Sequence, residues 1–372
     1  MTERPLERVL IWDRMDANRR ASLIFTFVFA IVMLPAVVYL GQYLMVWVAI
    51  TVGSADDFLW ETDFALALAL TAAVSFVILA ALAYAQYVFA AGLVLRLSGA
   101  RPVARDGEPQ FVRTVENLCI GAGLPQPRLY VSEEPAANAF STGLNPESSS
   151  LVVTRGLLDR LDRRELEGVL AHELAQIANG DTRLGTVLAA GVALLRLPLA
   201  IVVGVIRLLF RIHPIVGVVA MLYLGLPLLS ALPLSVVLAA DLLRDDTLTG
   251  VLIIVAMMLP VYAFVPAPLL AELFRALALR GREHLADADA LLLTRHPEGL
   301  ARALAKIGDP EASALPVAAA VAHLYVVDPL PGALPWQRLL ATHPPVGGRI
   351  ARLAAMAGVS LSAIEASGEP AP

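Results

Sequence analysis

The sequence predicts a mainly α-helical integral membrane protein carrying a soluble α+β portion with a small sheet. Three observations point there: an apolar composition, long charge-free runs, and two soluble stretches that flank the second apolar block. Of 372 residues, 58% are hydrophobic and only 16% charged, and the mean hydropathy is +0.71. Soluble domains carry about a quarter charged residues, so lipid is the expected solvent for much of this chain. The net charge of −5 gives no reason to expect nucleic acid as a partner. The single cysteine, Cys119, excludes an intrachain disulfide and a thiolate metal cluster, and reads as a small buried hydrophobe.

The first elements are two spanning helices. Ala21 to Ala55 and Phe64 to Leu95 are free of charge, and each exceeds the ~20 residues needed to cross a bilayer core. Asp56, Asp57, Glu61 and Asp63 lie between them, whereas Arg4, Arg8, Arg14, Arg19 and Arg20 precede and Arg96, Arg101 and Arg105 follow. The positive-inside bias places both ends of this hairpin in the cytoplasm of a multi-pass inner-membrane protein. The expected division is a cytoplasmic segment 1–20, a hairpin 21–96, a soluble region 97–183, a membrane block 184–275 and a second soluble region 276–372.

In the first soluble region, Val131 and Leu151–Val153 are expected in the sheet. A helix is then expected from the capping box Asp162-Arg163-Arg164-Glu165, an Asp N-cap with Glu three residues on. Leu166, Val169, Leu170, Leu174 and Ile177 share one face of it, and Gly180 suits its end. The membrane block holds three candidate crossings, Leu184–Phe210, Pro214–Ala240 and Thr247–Ala271, of which an even number must span if the soluble regions form one site. Arg196 and Arg207 argue that the first lies along the inner interface.

His172-Glu173 followed by Gln176 has the spacing of the H-E-x-x-H zinc motif, with Gln176 at the second ligand position. Residues at i and i+4 share a helix face and can bind one metal, while the Glu after the first His can act as general base on water. By itself a His-Glu pair is weak evidence, because a surface or capping pair looks the same. Arg282-Glu283-His284-Leu285-Ala286-Asp287 changes that balance. A third ligand from a second helix is what a Glu-type zinc site needs, and an Asp four residues later can hold a ligand imidazole.

In this order the segments resemble the HtpX-like membrane metalloproteases, relatives of the CAAX prenyl endopeptidases. The shared marks are Asn138 to Gly143, Asn179-Gly180-Asp181, Glu283 to Asp287, and Thr342-His343-Pro344-Pro345 with Arg349. The resemblance implies a cytoplasmic zincin-like catalytic domain holding one Zn²⁺, with His172, Gln176 and Glu283 as ligands. It implies Glu173 as general base, Asp287 behind the ligands, and His343 and Arg349 as supports for the tetrahedral intermediate. It also implies an edge strand with Asn138, Ala139 and Phe140 binding an extended substrate. A turn before two prolines accounts equally well for His343. A spanning helix soon after Asn179–Asp181 is what the resemblance implies, against the charge argument above.

A carboxamide offers zinc a neutral oxygen, poorer than an imidazole nitrogen, so weak binding is expected. His213, His284, His296 and His323 read as structural. Two function classes follow. One is a zinc endopeptidase acting on membrane or misfolded proteins at the cytoplasmic face, impaired by Gln176. The other is an inactive homologue that binds or regulates membrane proteins. A transporter fits less well, since its path would show several ionisable residues. Protein or peptide substrates and the lipid bilayer are the expected partners; the sequence does not fix the oligomeric state.

Overall fold

The computed structural model describes residues 16–28, 64–104, 107–219, 281–308, 321–329 and 343–358, with isolated positions between 221 and 315. Most of the first apolar run, most of the two later candidate crossings, and Thr342 lie outside them. The chain divides into two compact units. One comprises Met1–Phe25, Tyr87–Ala190 and Glu272–Pro372; the other comprises Thr26–Gln86 and Gly191–Ala271.

The first unit holds the sheet and the candidate site. Strands β1 (Arg101–Pro102), β2 (Arg128–Ser132), β3 (Ala139–Thr142) and β4 (Ser150–Thr154) lie in the order β1-β2-β4-β3. β2 and β4 are parallel, and β3 runs antiparallel to β4 with Phe140 opposite Val152. Both β3 and β4 are buried throughout, and their residues read as near-continuous apolar or hydroxyl runs rather than an alternation. That pattern is expected of strands covered on both faces. Val131 and Leu151–Val153 take the sheet positions the sequence suggests.

Helix α1 (Phe64–Leu97) leads into β1, and α2 (Pro109–Ala122) into β2. After β4 come α3 (Arg155–Arg160) and α4 (Arg163–Asn179). The α4 capping box forms as read: the Asp162 carboxylate accepts from the Arg164 and Glu165 amides, and Glu165 accepts from the Asp162 amide at 2.9 Å. Gly180 ends α4 at φ 71°, a left-handed conformation that glycine adopts without a Cβ clash. Leu166, Val169, Leu170, Leu174 and Ile177 are all buried in the main core.

Further along the described residues lie α5 (Asp181–Ile212), α6 (Arg282–Thr294), α7 (Pro297–Ile307) and α8 (Val346–Ala357). Close approach of α4 and α7 depends on missing side chains. A Cβ on Gly168 would meet Leu300 backbone at 2.5 Å, and one on Gly299 would meet the Arg164 carbonyl at 2.5 Å.

Counted over described residues, no helix is long and apolar enough to cross a membrane. The backbone of α1 is nonetheless helical for 34 residues with no charge before Arg96. Leu184–Phe210, the disputed first candidate, falls within one continuous helix, α5, of 32 residues.

Candidate metal and catalytic site

Helix α4 presents His172 and Gln176 one turn apart, and α6 brings Glu283 to meet them. His172 Nε2 lies 3.4 Å from Glu283 Oε2. The Gln176 amide nitrogen stands 3.0 Å from His172 Nε2 and donates to Glu283 Oε1 at 3.4 Å. Three side chains from two helices distant in sequence thus converge on one point. Behind them, His172 Nδ1 lies 2.9 Å from Asp287 Oδ1. Asp287 is one helical turn after Glu283, so α6 supplies both groups from the same face.

Arg349, from α8, is 1% exposed and locks this arrangement. Its Nε and Nη2 donate to the two Asp287 oxygens at 2.9 and 2.6 Å, a bidentate fork. Its Nη1 donates to the Val326 carbonyl at 2.6 Å and lies 3.3 Å from Glu283 Oε2. His343 sits across the same cluster, with Nδ1 3.5 Å from Glu283 Oε1 and neither ring nitrogen hydrogen-bonded. Gln176, Glu283 and His343 line one cleft together with Asp181, Thr182 and Leu324.

The electrostatics follow from burial and these partners. Burial alone would lower the His172 imidazole, but the Asp287 and Glu283 carboxylates outweigh it and hold it up at about 9. Burial would raise Glu283, yet Arg349 and His343 carry it well below the ordinary carboxylate range. Asp287 is likewise lowered: its bonds to His172 and Arg349 override the cost of burial. Glu173 is different. It is fully buried, neither oxygen makes a hydrogen bond, and burial raises it to about 7 against the opposing pull of His172. The Ser141 hydroxyl of β3 also pulls it down, but is itself paired with Thr182 at 3.2 Å.

Among the described residues, no three His, Cys, Asp or Glu side chains make a metal-binding group by themselves. Gln176 stands beside His172 and Glu283, and a carboxamide is not one of those donors. The donor set still suits a cation. Glu283 Oε2 is buried without a hydrogen bond, and turning the Gln176 amide over would present its oxygen beside the imidazole nitrogen and the carboxylate.

With this geometry, comparison with known proteins is decisive. The model of peptidase family M48 matches residues 106–357. The chain belongs to that family. Its relatives include a protease HtpX homolog of Dictyoglomus thermophilum, 37% identical over 264 residues, 71% of this chain and 75% of that protein. A protease HtpX homolog of Tropheryma whipplei is 35% identical over 286 residues, 76% of this chain and 84% of its own. The M48 chain described here is therefore an HtpX-like metalloprotease by descent. The crystal structure of S. mikatae Ste24p aligns over 89% of this chain and 66% of its own, at 18% identity and a TM-score of 0.38. That likeness is too loose to add to the assignment.

The other histidines of this M48 chain stand elsewhere. Burial and nearby Arg352 lower His284. His323 Nε2 is 3.0 Å from the Gly185 carbonyl and its Nδ1 is 3.2 Å from Arg275. His213 and His296 are exposed. Around the edge strand the structure differs from a bare substrate platform. Ala139 and Phe140 are buried, and Tyr325 bridges Phe140 from the side away from β4. The Ala139 carbonyl accepts from the Val326 amide at 2.9 Å. The Asn138 side chain donates to the Val327 carbonyl at 2.8 Å and accepts from its amide at 3.3 Å. No local pattern in residues 325–327 announces this pairing. Nor does the sequence show that Arg349 faces Asp287 rather than open space.

Proposed function

We propose that this M48 protein is a membrane-bound zinc endopeptidase of the HtpX type, cutting membrane or misfolded proteins at the cytoplasmic face. The observation that carries the proposal is the meeting of His172, Gln176 and Glu283 beside a buried Glu173 held near pH 7. His172, Glu283 and the turned-over amide of Gln176 would hold the zinc. When bound there, zinc supplies Lewis-acid polarisation of the scissile carbonyl.

The chain's own residues do the rest. Asp287 stands 2.9 Å from His172 Nδ1, placed to orient the ring, and Arg349 holds Asp287. Glu173 accepts a proton from the attacking water and passes it to the leaving amine, work suited to a base poised near neutrality. His343, with both ring nitrogens unbonded in the cleft wall, is placed to donate to the developing oxyanion. Arg349, matched with His343 for that task by resemblance, is fully engaged by Asp287, Glu283 and Val326, and is here a positioning residue. An extended substrate does not pair with β3 at Ala139, whose carbonyl already accepts from Val326.

Anchoring in the bilayer rests on α1, roughly 50 Å long at 1.5 Å per residue, and on its exposed Val74, Phe76, Val77 and Phe89. The family's use of zinc and Gln176's neutral oxygen together give a site of weakened affinity. The test is Gln176→His, with and without Glu173→Gln, assayed on casein and for self-cleavage. The single change should raise cleavage and the added Glu173→Gln should abolish it. A Gln176→His protein that binds zinc yet cleaves nothing would favour a binding role over catalysis.

A further inference from the structure

The peptidase model begins at residue 106, yet a side chain from far outside it reaches the site. Residues 16–28 are helical and bury one face, Asn18, Ser22 and Phe25, while Asp16, Ala17, Arg19 and Arg20 are exposed. Asn18 is 3% exposed and uses its whole amide. One hydrogen bond goes from Nδ2 to the Asn179 carbonyl at 2.8 Å, another from Nδ2 to Asp181 Oδ1 at 2.9 Å. Its oxygen accepts from Arg282 Nη1, which also donates to Asp181 Oδ1 at 2.6 Å.

These partners are the ends of the site's helices. Asn179 closes α4, which carries His172, Glu173 and Gln176. Asp181 opens α5, and Arg282 opens α6 immediately before Glu283. Asn179 Nδ2 in turn donates to Asp289 Oδ2 on α6 at 2.6 Å. We infer that Asn18 is a positioning residue: it joins the end of α4 to the start of α6 and so sets where Glu283 stands relative to His172. The inference rests on the metal-site reading proposed above.

Physical reasoning supports a local effect. A buried side-chain amide that bonds a carbonyl, a carboxylate and a guanidinium takes one hydrogen bond from each when removed. Arg282 then loses one of its hydrogen bonds at the start of α6, and Glu283 is the next residue.

The test uses the full chain in detergent, with Asn18→Ala, Asn18→Asp and, as a control, exposed Arg20→Ala. Hydrogen exchange is followed at residues 282–287 and, for comparison, in β2, and cobalt(II) affinity is titrated by its visible spectrum. Asn18→Ala should speed exchange at 282–287 about tenfold and weaken cobalt by a similar factor, with β2 unchanged. Asn18→Asp keeps the acceptor for Arg282 but turns an oxygen on the Asn179 carbonyl and Asp181, so it should do at least as much damage. Arg20→Ala should do neither. Unchanged exchange at 282–287 in both Asn18 variants, or exchange accelerated equally in β2, would overturn the inference. If the unsubstituted protein binds no cobalt while Asn18→Ala still loosens 282–287 alone, the coupling stands and the metal-site reading fails.

Discussion

Arg349→Ala tests whether the ion cluster is what holds the site's helices together. The change strips Asp287 of two hydrogen bonds, Val326 of one, and Glu283 of its nearest cation. Removing one partner from a buried ionic group costs about 3–5 kcal/mol, because the remaining charges stay buried. At about 2–4 °C per kcal/mol for a unit of this size, the apparent Tm should fall by roughly 6–20 °C. The deficit should also depend on pH. In the unsubstituted protein Asp287 and Glu283 are lowered, so their contribution is present above the ordinary carboxylate value and lost as acid pushes through the folded one. Without Arg349, His172 and His343 still oppose burial, but both carboxylates move up from their present position. The variant should then lose less at pH 5 than at pH 8. Thermal scans in detergent at the two pH values measure both effects. A fall under about 2 °C at pH 8, or an equal deficit at both pH values, would refute the assigned role.

Other expectations concern single residues and topology. On the Gln176→His background, kcat/KM should rise with pH through about 7 as Glu173 ionises, measured on a fluorogenic peptide; a flat profile between pH 5 and 8 contradicts Glu173 as base. Because burial raises Glu173, its favourable contribution is lost as pH climbs through that value. Glu173→Gln should therefore raise the apparent Tm at pH 8 and leave it alone at pH 5. On the same background, His343→Ala should lower kcat about 100-fold or more with zinc content unchanged, whereas lost zinc would make His343 a ligand. Cysteine placed at position 57 or 245 should react with an impermeant reagent from outside intact cells, and labelling from the cytoplasmic side only would invert that hairpin.

How much of this was legible in the sequence depended on whether the signal was local. The α4 helix was, since its capping box, apolar face and terminal Gly180 all lie within nineteen residues. The pairing of His172 with Asp287 was also readable, because each lies on a strongly patterned helix and only their meeting had to be supposed. The resemblance implies Arg349 as a support for the tetrahedral intermediate, whereas its guanidinium grips Asp287, 62 residues earlier. Spacing from His343 says nothing about which way a guanidinium turns. Asn18 joins residues 161 to 264 positions away, and its own neighbourhood reads as an ordinary charged helix start. Composition alone could not choose among crossings in the block after Asp181, where apolar residues satisfy interface and span equally.

Zinc content tests the central claim, that His172, Gln176 and Glu283 make one weakened metal site, most directly. Protein purified in zinc and dialysed would be analysed for metal as the unsubstituted chain, Glu283→Gln and Gln176→His. The expected result is well under one zinc per chain, none, and close to one, respectively. The gain corresponds to an affinity rise of about 100-fold or more, since losing a direct ligand should exceed the ~10–100-fold cost of losing an outer partner. One tight zinc per unsubstituted chain that survives Glu283→Gln, or a Gln176→His protein no richer in zinc than its parent, would contradict it.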